Sequence, residues 1–243
     1  MINPLAYQLG NPRGEYKPAI TTWLNVILGG AIAAGALFGI VSVLGEGKSA
    51  SPLVVLSILL LIGIGVAYFG FSRSRVRVQV FDQGLMYTRG STTQAWRWEE
   101  IAFVWQQITR VHVQGIPAGT RYVYTIQHRD GQKIVLNNGI SKIKALGEMV
   151  QSETFTRLMP LAIAAYNNGE ALQFGKLTIS QQGIGNSKEI VPWAQVKGVE
   201  VNQGYVAVKR EGKWLRWANI PVAGVPNFFI FMALVDQIIG VKR

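Results

Sequence analysis

The sequence reads as a membrane-anchored α+β chain: a two-helix transmembrane hairpin, then two antiparallel β-barrel or sheet modules, each closed by a C-terminal helix. Three observations carry that reading. Two uncharged apolar runs, 23–44 and 53–71, follow one another with only a short turn between them. From Arg75 the apolar spacing changes from helical to strictly alternating. After that change, one order of residues recurs a second time.

At a rise of about 1.5 Å per residue the two runs reach roughly 33 and 28 Å, close to the ~30 Å hydrocarbon thickness of a bilayer. Gly29, Gly30, Gly35, Gly39, Gly63 and Gly65 would each weaken a helix in water, whereas lipid obliges the backbone to bond internally and tolerates them. A polar arm precedes the first run and a second run follows at once, which does not fit a cleaved leader. Arg13 and Lys17 flank the hairpin on one side and Arg73, Arg75 and Arg77 on the other, while the turn holds only Lys48 with Glu46. Basic flanks stay inside, so both termini are expected to be cytoplasmic. Pro52 suits the first turn of the second helix, and Trp23 and Tyr68 suit the interface. Ala31, Gly35 and Gly39 form a small-residue seam, as do Gly63 and Ala67. Such seams pack a hairpin against itself, and the first also offers a route to a homodimer. No ionisable residue lies within either run, which argues against a transporter.

The formal charge is +11, and the residues from Ser72 onward hold 21 Lys+Arg against 11 Asp+Glu, a surplus of +10. A basic body tethered to a membrane is drawn to the anionic cytoplasmic leaflet. No dense basic run or nucleic-acid motif is present, so nucleic acid is not the expected partner. The absence of cysteine removes disulfides, thiolate catalysis and Cys-based metal sites. His112 and His128 have no metal-site spacing, and Asp82, Asp130 and Asp236 are the only aspartates, so no catalytic, cofactor or metal site is assigned.

Residues 1–22, with Pro4, Pro12 and Pro18, read as an irregular cytoplasmic arm. Beyond the hairpin (23–71), Val76, Val78 and Val80 alternate with polar residues as in a half-buried strand. Asp82-Gln83-Gly84 turns the chain, and strands are expected over 85–89, 93–98, 101–113 and 121–128. Asp130-Gly131 marks a hairpin into 132–136. A helix should start near Ser141 and end near Pro160, with a turn or two more to Gly169. The pattern then restarts. Residues 177–184 repeat 78–85 at a shift of 99, Trp193 repeats Trp98 at 95, and 205–212 repeat 124–131 at 81. This gives two modules, 72–169 and a shorter 170–243, the second closed by a helix over 226–239 with Pro226 in its first turn.

A strand-turn-strand opening, a Trp-x-x-Ile/Val step, further strands and a closing helix resemble a pleckstrin-homology-like (PH-like) module. The segments FGKLTISQQGI, IVPWAQV, KREGKWLRW and VPNFFIFMALV resemble an uncharacterised bacterial membrane protein family with two transmembrane helices before tandem PH-like repeats. The resemblance covers most of the chain and implies an architecture, not an activity. PH domains that bind phosphoinositides resemble one another in a long basic loop between the first two strands. Here that loop is Asp82-Gln83-Gly84 and Gln181-Gln182-Gly183, which argues against such binding.

Trp98 and Trp193 hold the same place in the two copies and are expected in the core, with a partner for each indole N–H; Trp96 shares a strand face with Trp98. Trp214 and Trp217 cannot share a face of a regular strand. One of them is free to sit exposed beside Lys213 and Arg216, a combination suited to a protein partner. Arg73, Arg75 and Arg77 are expected on one strand face below the bilayer, as a topology flank and lipid-surface contact. Glu99 and Glu100 read as a solvated pair, since neighbours on a strand point to opposite faces. The expected role is therefore non-catalytic: tandem modules presented at the cytoplasmic face of the plasma or inner membrane, binding or scaffolding a protein partner. The alternatives are an anionic-lipid surface sensor and an anchored small-ligand or catalytic module.

Overall fold

The computed structural model describes residues 9–45 and 51–240. The expected turn residues Glu46 and Lys48, and Pro4 in the arm, lie outside the described residues. The chain divides into two compact units, one running to Ala95 and taking in Asn138–Ile143, the other holding Trp96–Asn137 and Lys144 onward.

In the first unit the part of the arm that is described is not irregular. Pro12–Tyr16 forms strand β1, which pairs antiparallel with β2, Val76–Phe81, placing Tyr16 opposite Val78 and Glu15 opposite Gln79. The arm's prolines mask this, because Pro12 sits at the strand's first residue, where a missing N–H costs no ladder bond. Lys17–Ala19 then runs beside Gly139–Ser141, with Ala19 N–H donating to Gly139 O and Ser141 N–H to Lys17 O, each at 2.8 Å. Strands β3 (Gly84–Arg89) and β4 (Thr92–Arg97) complete a four-stranded sheet in the order β1-β2-β3-β4. Leu9 is buried with Phe81 and Met86.

Between β1 and β2 in sequence lie two long apolar helices, α1 (Ile20–Gly45) and α2 (Ser51–Ser74). Both are long and apolar enough to cross a membrane. They pack through glycines: a Cβ on Gly63 would sit 2.6 Å from Ala33 N, and one on Gly70 2.8 Å from Val26 N. Gly29 meets Gly63 and Ala67 in the same seam. The sequence seam is therefore only partly the packing seam. Gly39 touches Leu56 and Gly63 is central, but Gly35 has nothing within 4 Å and Ala31 is exposed. The reason is angular: at 3.6 residues per turn, 29, 33 and 36 share a face that 31 and 35 do not.

In the second unit, β5 (Ile101–Val113) and β6 (Ile116–His128) form one long hairpin, with β7 (Lys133–Asn137) paired to residues 123–127. The return strand is expected from 121. It starts at Ile116, because Gln114 and Gly115 both adopt positive φ (51° and 82°) and close a two-residue turn. Helix α3, Ile143–Asn167, runs straight through Pro160 rather than ending near it. Met159 is buried in the core, with Leu158 and Ile163 packed against it; that packing on both sides of Pro160 offsets the missing N–H. Gly169, at φ 85°, follows the helix end.

Strands β8 (Leu172–Phe174), β9 (Leu177–Ser180), β10 (Gly183–Gly185) and β11 (Ile190–Pro192) form another four-stranded sheet. Strands β12 (Val196–Asn202), β13 (Tyr205–Arg210) and β14 (Arg216–Pro221) form a three-stranded one. Helix α4, Phe228–Ile239, buries Phe231, Leu234 and Val235 against Leu177, Ile179 and Val208. It starts two residues after Pro226, because Asn227 is left-handed (φ 49°) and serves as its N-cap position. The described strands make four open sheets and no closed barrel. Single 3-10 turns at Trp98–Glu100 and Trp193–Gln195 lead out of one sheet and into the next.

Candidate functional site

The basic residues after the hairpin do not share a strand face. Arg73 belongs to the last turn of α2, Arg75 to the turn that follows and Arg77 to β2, because the helix persists to Ser74. All three are exposed, and the Arg75 guanidinium lies 5.5 Å from the centre of the Phe71 ring. Arg75 O accepts from Gly90 N–H at 3.1 Å, so the turn is anchored to the end of β3.

Around residues 213–217 the two tryptophans separate. Trp214 is 99 % exposed, in a bend between Lys213 and Leu215, both also exposed. Trp217 is half-buried against the core of α4, and its Nε1–H donates to Glu189 Oε1 at 2.6 Å. Arg216 is exposed and reaches Asn219 Oδ1 at 3.4 Å. Lys213, Trp214 and Arg216 thus form one exposed cluster, and Trp217 holds its strand to the sheet.

The two tryptophans expected in the core differ in burial. Trp98 is fully buried, and Trp193 is half-buried with Nε1–H donating to Ser180 O at 2.8 Å. Trp96 is buried, its ring centre 5.3 Å from that of His128.

Glu99 and Glu100 lie in the 3-10 turn rather than on a strand, and they diverge. Glu99 pairs with Arg97 at 3.2 Å, whereas Glu100 accepts from Arg97 N–H at 2.8 Å and lies 3.6 Å from His128 Nε2. His128 Nδ1 is 2.9 Å from Asp130 Oδ1, with the His128 side chain 19 % exposed. Asp130 also accepts from Gln132 N–H at 2.8 Å, and that bond, ahead of His128, holds its carboxyl below the usual carboxylate range. Glu100 lies far from His128 and Asp130 in the sequence. Long-range pairing of Ile101 with His128 brings them together at one end of the hairpin, and no local pattern announces that pairing. Among the described residues no group of three His, Cys, Asp or Glu is arranged to hold a metal ion.

No curated protein and no solved structure matches the chain. A family match extends over residues 1–242, so the chain belongs to DUF6585, a family of unknown function.

Proposed function

We propose that this is an integral membrane protein in which the hairpin α1–α2 anchors two PH-like modules at the cytoplasmic face, where they bind a protein partner without catalysis. The observation that carries the anchor is the outer surface of the hairpin. Only 11 % of the apolar stretch of each helix is buried, and side chains such as Phe38 (76 % exposed), Leu61 and Phe69 point outward. Contiguous apolar surface of this extent has no place in water.

The tandem reading is supported by element order. Four strands, a 3-10 turn opened by Trp98, three strands and helix α3 are followed by four strands, a 3-10 turn opened by Trp193, three strands and helix α4. On this reading the modules 72–169 and 170–243 differ in the source of their opening strand as well as in length. The first takes its opening strand from 12–16, the counterpart of β8, so the hairpin is an insertion between the first two strands of a module. The partner-binding reading is supported by Lys213, Trp214 and Arg216, a bare indole between two cations. The exposed Arg73, Arg75 and Arg77 favour an anionic lipid surface as a second contact.

The test of the anchor and its orientation exploits the absence of native cysteine. Lys48→Cys and Ser187→Cys variants are treated in intact cells with a membrane-impermeant maleimide, and membranes are washed with carbonate. The expected result is that the chain stays in the membrane pellet and only the Lys48→Cys variant is labelled. Release by carbonate overturns the anchor, and labelling of Ser187→Cys alone reverses the orientation. Binding to anionic nanodiscs that falls with salt in the full chain, and is reduced in an Arg73/Arg75/Arg77→Gln variant, supports the lipid contact.

A further inference from the structure

Among the described residues strand β5 has β6 on one side only, and its other edge is treated differently along its length. At Val104 the edge is occupied. Asn227 N–H donates to Val104 O at 2.8 Å, Val104 N–H donates to Asn227 Oδ1 at 2.9 Å, and Asn227 Nδ2–H donates to Ala102 O at 2.9 Å. One asparagine therefore stands in for a neighbouring strand, its side-chain amide imitating a peptide group. Because the Val104 N–H and C=O point away from β6, antiparallel alternation gives the same direction to Gln106, Ile108 and Arg110. The register to β6 runs without a shift from Phe103↔Gln127 to Val111↔Gly119, so the alternation is unbroken across them.

Past Asn227 this edge borders an open groove of about 770 Å³. Residues 106–110 form one wall, and the facing wall includes Tyr205, Pro221, Val222 and Phe228. Five residues of strand extend about 17 Å. Arg110 is the one charged side chain among the described residues that line the groove.

We infer that this groove takes an extended peptide segment of a partner protein, which adds to β5 as a further strand and places a carboxylate at Arg110. Main-chain bonds to Gln106, Ile108 and Arg110 supply the affinity, and alternate apolar side chains seat against Tyr205, Val222 and Phe228. The carboxylate follows from the charge: a lone guanidinium beside an apolar wall, in a chain of formal charge +11, selects an acidic group. This inference rests on the partner-binding reading above but uses a different surface from Trp214.

The test is a selection from a randomised nine-residue peptide display library against the full chain in detergent micelles. Enriched peptides are then synthesised with a fluorophore and titrated by anisotropy. The expected winners alternate apolar residues and carry Asp or Glu. Their affinity falls about tenfold or more with Arg110→Ala, is abolished by N-methylation of alternate peptide amides, and is unchanged by Trp214→Ala. The Arg110 side chain is exposed, so circular dichroism should show the Arg110→Ala variant folded; should it not, Arg110→Lys against Arg110→Gln replaces it, the lysine retaining binding. Winners insensitive to N-methylation, or no enrichment, overturn the groove. So does loss of binding with Trp214→Ala but not Arg110→Ala, which leaves the partner-binding reading standing. Concentration-dependent self-association that an Ile108→Asp variant removes assigns the edge to a second copy and likewise overturns the inference.

Discussion

Asn227 makes three hydrogen bonds to β5, and its left-handed backbone also starts helix α4. Asn227→Ala strands Val104 N–H and Ala102 O and places a Cβ residue with no compensating amide at φ > 0. The expected loss is about 2–3 kcal/mol, read as a lower urea midpoint at unchanged m-value. Tyr124 sets a second prediction. Its ring lies on Gly147 of α3, where any Cβ would collide with it, and burial pushes the phenol up to about 12, helped by the charges of Glu148 and Tyr122. The unfolded phenol ionises near 10.0, so the unfolded state loses its proton first as pH rises. The contribution of the neutral phenol is complete below pH 10 and is lost towards pH 12. A Tyr124→Phe variant should show a smaller fall in urea midpoint between pH 9 and 11.5 than the parent chain. At this scale the sequence was uneven. Trp98 and Trp193 were both expected in the core, but only Trp98 is fully buried and Trp193 is half-buried at its margin; Asn227 and Gly147 carried no signal, since their importance lies in atoms more than twenty residues away.

Helices α1 and α2 show how element existence and element packing separate. Length, apolarity and missing charge place both helices within a few residues of their observed ends. The face they share is another matter. A Gly63→Leu variant should lower the unfolding temperature in detergent, at a cost of about 1–3 kcal/mol or more, because its Cβ would press on the Ala33 backbone. Gly35→Leu, on the open face, should leave that temperature unchanged; an equal drop for both would mean that α1 packs through 31 and 35 instead. The β5–β6 hairpin was legible in its alternating residues but not in its turn. Gln114-Gly115 lacks the Asn-Gly or Asp-Gly signature, and the glutamine is held at positive φ by the strands on either side. At Pro160 only the expected break is absent: the further turns expected up to Gly169 are present, joined to the first part as one helix by core contacts on both sides of the proline.

For the whole molecule the decisive feature is that β1 and β2, neighbours in one sheet, are separated in sequence by both long helices. A chain shortened to begin at Ser72 therefore loses a strand, leaving the β2 edge bare. Expressed as 72–243 it should aggregate or show a lower thermal midpoint than the full chain in detergent, and adding a peptide of residues 9–18 in trans should raise that midpoint. A fragment as stable as the full chain would show that β1 contributes nothing. The sequence alone determined where the apolar helices lie and where the strands alternate, because each of these is written in neighbouring residues by hydrophobic period and charge. Only the tertiary structure decided which strand β1 joins, which glycines touch, and that Asn227 occupies the edge of β5. Each of those depends on a hydrogen-bond or packing partner far along the chain, and the choice among such partners leaves no period in the residues that make it.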